Sequence, residues 1–475
     1  MKFLYKTEPL AHQKEVVERT SHLKNYALFW EMGLGKSKAI IDTCTALFLD
    51  GKINGAILIS DKGNYLNWKK EIATHSALPG RVYVYASGKK TRFIVTKPTD
   101  MDYLLVNTEA LSSSKSVEAC IQEFCRTRRV LGCIDEATSI KGHNSLRSKN
   151  AFALGTKWAY RRILTGTPLC QSLLDIFGQF RFLDPQVFGV AYYPFRAKYA
   201  VLEEQYLPGG KTFKKVVGYR NSEEMKERLR PHCSRLTKED CLDLPEKIYV
   251  TRMVEHTKEQ ARIHKDLVDF AVTSLASGVI ATAASALSLV NRMRQLNLGR
   301  VTSDDAVLYK VPHKRLDALD RVLEEHDGKA IIWCAFQKDV LDVLDALGDA
   351  AVAYYGPMSI QERNRALESF LSDPGIKYFV ATPDTAGKSL TLVVANLVIY
   401  YSNGFKLENR LQSEDRAHRY GQKKSVTYVD LVCPGTVDEE ILANLQGKKE
   451  MADSILTSLK NITLRSGASE AQVSG

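Results

Sequence analysis

Four short stretches carry side chains suited to work on a phosphate ester. "EMGLGKS" at 31–37 sets Gly33, Leu34, Gly35, Lys36 and Ser37 between the β-rich run "YALFW" and a helical pattern that begins "KAIIDTC". A glycine turn that opens a helix points backbone N–H groups and the positive helix end at an anion. A lysine there reaches the outer phosphate oxygens, and a serine hydroxyl ligates Mg²⁺. The first glycine usual in such loops is missing, because Trp30 stands five residues before Gly35. "GCIDEA" ends an apolar run with Asp135 and Glu136, the types that hold a metal and polarise an attacking water. "LTGTP" at 164–168 closes another run with Thr165 and Thr167, where a segment sensing the terminal phosphate would want hydroxyls. Its Gly and Pro are equally what a plain strand-to-turn junction needs.

The fourth stretch, "LQSEDRAHRYGQ" at 411–422, lies far along the chain and crowds together Gln412, Arg416, His418, Arg419 and Gln422. Such a cluster is either a solvated helix face or a second set of donors for the same polyphosphate. Upstream of the first run, Gln13 in "EPLAHQKE" has an amide able to read adenine.

The elements that must position these residues come in two series. Apolar runs at 26–30, 55–60, 81–86, 103–107, 129–135 and 161–166 alternate with helical patterns, and so do runs at 329–335, 351–355, 377–382, 397–402 and 426–432. Continuous apolar runs of this length, with helices between them, predict buried parallel strands in two α/β sheets. Between the series, over roughly 186–310, the pattern turns helical and charged, as in "SEEMKERLRP". The tail "LRSGASEAQVSG" is small and polar, the composition of a disordered end.

Composition is that of a water-soluble globular chain, 44% hydrophobic and 25% charged. At 475 residues it exceeds one compact core, so two or more domains are expected. Lys and Arg number 66 against 55 acidic residues, a net +11 that favours a polyanionic partner. Nine scattered cysteines without a C-x-x-C pair or His at zinc spacing read as reduced thiols in a cytosolic or nuclear compartment. The start, "MKFLYKTEPL", is too short an apolar run for a signal peptide, and "GVIATAASALSLV" falls short of a membrane span.

In order, "EMGLGKS", "DEATSIKG", "LTGTPLCQSLLDIFGQFRFLDP", "LRPHCSRLTKEDCLDLPEKI" and "DRAHRYGQ" resemble the Snf2-type, superfamily 2 helicase-like ATPases, from about Gln13 to Val432. The resemblance implies two RecA-like parallel-sheet lobes with helical insertions around the linker. Residues 1–185 would be the ATP-binding lobe, 186–310 the protrusions and linker with a boundary near 241–250, 311–450 the second lobe, and 451–475 a C-terminal helix and tail. It implies ATP and Mg²⁺ at Gln13, Gly33, Leu34, Gly35, Lys36 and Ser37, with Asp135 on the metal and Glu136 on the water. Thr165 and Thr167 would couple phosphate state to motion. From the second lobe, Arg416 and Arg419 would act as arginine fingers, with Gln412 assisting. Duplex DNA would be gripped through phosphates at Lys62, Asn107, Thr108 and Thr382, without reading sequence. Trp68 is read as core rather than base-stacking, and Arg292, Arg294 and Arg300 as a charged helix face.

Several positions depart from the family pattern. Thr138 stands where the family has His after "DEA", and Ala386, Ser389 and Thr391 replace Gly, Gly and Asn. "IIWCAF" has Cys334 and Ala335 where Ser and Gln are frequent. The compact form resembles those of bacteria and their viruses, which implies a cytoplasmic monomer with a possible recruiting protein. The expected activity is DNA-stimulated ATP hydrolysis with translocation on duplex. A strand-separating or annealing helicase on DNA or RNA, and a DNA-binding scaffold with a retired ATPase, are the other readings.

Overall fold

In the first series of runs, residues alternate poorly between faces and are buried on both, so each strand needs neighbours on either side and helices above and below. The computed structural model forms them as expected, and describes residues 1–88, 91–94, 97–113, 115–206, 212–276, 283–302, 307–386 and 390–469. The first unit comprises Met1–Leu202, Val216–Asp243 and Glu450–Gly475, the second Glu203–Lys215 and Leu244–Lys449.

The strands of the first part of the chain are β1 (Asn25–Trp30), β2 (Gly55–Ser60), β3 (Val82–Val84), β4 (Asp102–Asn107), β5 (Val130–Asp135), β6 (Tyr160–Leu164), β7 (Ala200–Tyr206), β8 (Thr212–Tyr219) and β9 (Cys233–Leu236). Seven of them make one sheet in the order β3-β4-β2-β5-β6-β1-β9. Every pairing in it is parallel, so all C-terminal ends lie along one edge. That edge is where ligands bind in open parallel sheets. Helices α1 (Ala11–Thr20), α2 (Lys36–Leu49) and α3 (Tyr65–His75) pack on one face. Buried Arg162 on β6 donates to the carbonyls of Thr20, Ser21, Leu23 and Lys24, capping the end of α1 and so fixing Gln13 at its start.

The second unit has its own sheet, built from β10 (Lys247–Met253), β13 (Lys329–Trp333), β14 (Ala351–Tyr354), β15 (Tyr378–Ala381), β16 (Ala395–Tyr400) and β17 (Val426–Val432). The short β11 (Arg300–Thr302) and β12 (Leu308–Lys310) pair separately. The order is β10-β17-β16-β13-β15-β14, again parallel throughout. The chain is therefore α/β, with two RecA-like parallel sheets.

The stretch read as helical, 186–310, does carry helices, Tyr192–Tyr199, Ser222–Leu229, Lys258–Ala276 and Ala283–Asn297 among them, but also strands that the reading lacked. β7 and β8 form a two-stranded sheet, β9 joins the first large sheet and β10 the second. β8, "TFKKVVGY", is rich in β-branched and aromatic residues, which favour strand over helix. The helix that starts at Val437 runs to Ser469, so the first part of the polar tail is helical, and 470–475 lie outside the described residues. Arg300 is not on an exposed face: it is buried and ion-paired with Asp339 and Asp342. Among the described residues no helix is long and apolar enough to cross a membrane. All nine cysteines are free thiols.

Candidate nucleotide site

β6 lies between β5 and β1, with Asp135 level with Leu164 and Leu28 level with Leu164 on the other side. The three strand ends therefore bring Asp135 and Glu136, Thr165 to Thr167, and the glycine turn to one stretch of sheet edge. β1 leaves the sheet at Trp30, and α2 begins at Lys36. Gly33 and Gly35 both adopt positive φ, 87° and 75°. A side chain is strained in that region, which accounts for glycine at both positions. At Gly35 a Cβ would also lie 1.9 Å from Gln13 Nε2. Gln13 is buried; its Nε2 donates to the carbonyls of Leu34 and Gly35 at 3.4 Å, and its Oε1 accepts from Leu10 N at 2.9 Å. His12 Nε2 donates to Leu34 O at 3.0 Å, so two neighbouring side chains of α1 grip the turn. Lys36 Nζ donates to Trp30 O at 2.8 Å and Glu31 O at 3.2 Å.

Asp135 is held from two elements. Its Oδ2 accepts from Asn64 Nδ2 at 2.9 Å and from the Trp68 indole N–H at 3.0 Å, while Oδ1 accepts from Glu136 N at 3.1 Å. Burial raises the Asp135 pKa, opposed chiefly by nearby Lys36. Trp68 is core, as its sequence reading has it, and it also orients the carboxylate. Asn64 and Trp68 stand in the stretch "SDKGNYLNW" with Lys62, and nothing in the sequence pairs them with Asp135. Glu136 has φ 52°, one of two non-glycine residues with positive φ among those described. Such backbone is strained for a residue with a side chain and concentrates at functional sites.

Thr165 is fully buried; its Oγ1 accepts from Thr167 N at 3.1 Å, shaping a tight turn. Gln179 Nε2 donates to Pro168 O at 2.7 Å and pins the segment from below. Thr138, in the place of the family's His, is buried beside this edge.

The donor set fits a nucleoside triphosphate with Mg²⁺. The cradle offers backbone N–H and ammonium donors, and Ser37 and Asp135 would hold Mg²⁺ through a hydroxyl and a carboxylate, the oxygen types that ion takes. Among the described residues no cluster of three or more His, Cys, Asp or Glu forms a protein-only metal site.

In the second unit the helix Leu407–Glu414 runs straight into the arginine turn. Arg416 Nη1 and Arg419 Nη1 both donate to Leu390 O, at 3.0 and 2.9 Å, so the pair converges on one carbonyl. Burial lowers the Arg419 pKa, with Asp415 opposing. Arg416 Nε also donates to Gln412 O at 2.9 Å. Gln412 is 1% exposed with its amide on Glu408, so its side chain is a helix-internal brace here. Gln422 Nε2 donates to the carbonyls of Val393, Ala395 and Ala417 and closes the turn.

The expected DNA contacts divide. Lys62 is exposed and Asn107 half-buried, its Oδ1 accepting from Ala110 N. Thr108 is 1% exposed. Thr382 is buried and donates to Thr385 Oγ1 at 3.0 Å. Ala386 packs into the core, Thr391 is exposed, and Ser389 lies outside the described residues.

A glycine cradle, a strand-end carboxylate pair and a second parallel sheet with an arginine turn define the P-loop, helicase-like class. Residues 12–300 match the SNF2-related domain and residues 314–421 the helicase conserved C-terminal domain. The chain belongs to the SNF2-related family of helicase-like ATPases. It is 25% identical over 438 residues to "Uncharacterized ATP-dependent helicase MG018" of Mycoplasma genitalium, covering 90% of this chain and 40% of that protein. It is 27% identical to "ISWI chromatin-remodeling complex ATPase CHR11" of Arabidopsis thaliana, covering 87% and 39%. It is 24% identical to "Chromatin remodeling factor mit1" of Schizosaccharomyces pombe, covering 90% and 31%. The chain thus spans two fifths or less of the length of these curated relatives. Among solved structures it is similar to the "Sulfolobus solfataricus SWI2/SNF2 ATPase core in complex with dsDNA", 22% identical, covering 97% and 96% of the two chains with a TM-score of 0.43.

Proposed function

We propose that this chain is a DNA-stimulated ATPase that translocates on duplex DNA and so remodels protein–DNA complexes or branched DNA. The observation that carries the reading is the meeting of the Gly33–Gly35 turn, Lys36, Asp135 and Glu136 on one sheet edge, in a chain whose second unit keeps Arg416 and Arg419 side by side. The turn and Lys36 bind the phosphates, and the Gln13 amide reads the adenine. Ser37 and Asp135 hold Mg²⁺, which when bound neutralises charge on the phosphates. Glu136, fixed in its strained conformation, orients and polarises the attacking water. Arg416 and Arg419 neutralise charge on the transferring phosphoryl group, an effect worth about 10³–10⁵ in turnover for arginine fingers. Because those arginines belong to a different unit, turnover depends on closure, and DNA that favours closure drives the cycle.

The +11 net charge and the chromatin-remodelling names of relatives support duplex DNA as the track. Lys62, Asn107, Thr108 and Thr382 would line the path of its phosphates. The test compares ATP turnover with single-stranded DNA, duplex, forked DNA and RNA at one salt concentration. Duplex should stimulate strongly, and Lys36→Ala, Glu136→Gln and Arg419→Ala should each abolish the stimulated rate. A DNA-free rate equal to the stimulated one overturns the reading. Strand displacement on matched duplexes would assign the chain to the unwinding helicases instead.

A further inference from the structure

We infer that Arg235, given no role above, is a positioning residue for ATP hydrolysis that locks the segment after β6 to the start of the phosphate loop. β1 and β6 pair in register from Asn25 and Arg161 to Leu28 and Leu164, and Thr165 N donates to Leu28 O at 3.2 Å. Beyond that bond the two strands part. Two of the candidate segments diverge there: the glycine turn on one side, and Gly166 and Thr167 on the other. The two segments stay close, since a Cβ on Gly166 would sit 3.4 Å from Trp30 O.

Arg235 spans the parting. It sits on β9, on the far side of β1, level with Phe29. Its guanidinium crosses β1: Nη1 donates to Phe29 O at 3.0 Å and to Gly166 O at 2.9 Å, and Nη2 to Glu31 Oε1 at 3.2 Å. The Glu31 carboxylate is fixed at its other oxygen too, where Oε2 accepts from Lys238 N at 3.0 Å. Glu31 N donates to Leu236 O at 3.0 Å, which continues the β1–β9 ladder one residue past the strand. The carbonyls of Trp30 and Glu31, between these anchors and the turn, are the ones that Lys36 Nζ grips. One planar fork, 6% exposed, therefore ties three things: the strand that launches the loop, the acid that begins it, and the hydroxyl-bearing segment beside it. A lysine ammonium lacks the fixed fork that reaches acceptors in these directions.

The hydrogen bonds described for Arg235 end on Phe29, Glu31 and Gly166, ahead of and beside the phosphate cradle of Gly33 to Ser37. Loss of the fork should therefore spare nucleotide binding and impair turnover, because sub-ångström placement governs the chemical step more than the ground state. The inference rests on ATP hydrolysis alone and not on the DNA track.

The test is performed on the full chain, with the parent's ATP turnover measured first, with and without saturating duplex DNA. A parent with no turnover would fail the proposed function itself, whereas a parent with turnover but no stimulation leaves this test intact. Arg235→Gln should lower kcat by about tenfold or more in both conditions, with ADP affinity within about threefold of the parent. Arg235→Lys should recover part of the rate. A kcat within about twofold of the parent, or a loss carried by KM with kcat intact, overturns the inference. If Arg235→Gln melts below the assay temperature, Glu31→Gln decides. That isosteric change keeps both carbonyl bonds and removes the charge that orients the fork, so kcat should fall about threefold or more while the melting temperature stays that of the parent. An unchanged kcat in Glu31→Gln overturns it equally.

Discussion

At the scale of single residues, the two glycines of the turn and the two donors on Asp135 make the sharpest commitments. Gly35 has φ 75° and a would-be Cβ 1.9 Å from Gln13 Nε2, so Gly35→Ala must strain the backbone and displace the amide together. The left-handed conformation alone costs a side-chain-bearing residue about 1–2 kcal/mol. ADP affinity, read by calorimetry, should therefore drop about tenfold or more, and parent-like affinity would refute the cradle as drawn. Trp68→Phe removes one of the two side-chain donors to Asp135 Oδ2 and keeps most of the ring volume. Partners of a metal-binding carboxylate are typically worth about 10–100-fold in metal affinity. The Mg²⁺ concentration for half-maximal ATP turnover should rise by about that factor with kcat at saturating Mg²⁺ little changed. A parent-like Mg²⁺ curve would remove Asp135 from the metal.

At the scale of elements, the second unit is braced by charges that the sheet buries. Arg410 lies 3.5 Å from the Tyr400 ring centroid and is ion-paired with Asp430 and Glu414; Glu414 also accepts from Tyr249 Oη at 2.8 Å. Burial pulls the Glu414 pKa up, but Arg410 and Lys247 together outweigh it and hold the carboxyl below its ordinary value. A depressed carboxyl stabilises the fold above its unfolded pKa and loses that contribution as pH falls through the folded one. Glu414→Gln should therefore melt lower than the parent at pH 7, by roughly 3 kcal/mol for breaking a buried pair, and the gap should narrow below about pH 4. An equal gap at both pH values would contradict the pairing. Legibility divides at this scale as well. Runs such as "GAILIS" and "KAIIW" showed their strands because a strand buried on both faces must be continuously apolar. β9 stayed hidden since "CSRL" is four residues long and two of them, Ser234 and Arg235, are polar yet buried. The glycine turn, the carboxylate pair and the arginine turn were readable because each is contiguous. The partners of Asn64, Trp68 and Arg235 were not, because only the parallel sheet brings those side chains together with them.

At the scale of the whole molecule, the arginine turn is linked to one of the four places where the chain passes between units, the one at Asp243 and Leu244. Two residues past that crossing, Pro245 O accepts from His418 Nε2 at 2.7 Å. His418 stands between Arg416 and Arg419, and Tyr249 and Lys247 on β10 hold Glu414 at the start of the same turn. The segment just past Leu244 is thus hydrogen-bonded to the residues that flank Arg416 and Arg419 within the second unit. On the function proposed above, those bonds would convey closure to the nucleotide. His418→Ala cuts the bond nearest the crossing and leaves both arginines on Leu390 O. It should therefore reduce the ratio of duplex-stimulated to DNA-free turnover by about tenfold, while leaving ADP affinity unchanged. Duplex affinity should keep the parent's salt dependence, about −0.9 in log–log slope per phosphate neutralised, because no phosphate contact is lost. An unaltered ratio in His418→Ala, alongside its loss in Arg419→Ala, would show that the arginines respond to closure by another route than the linker.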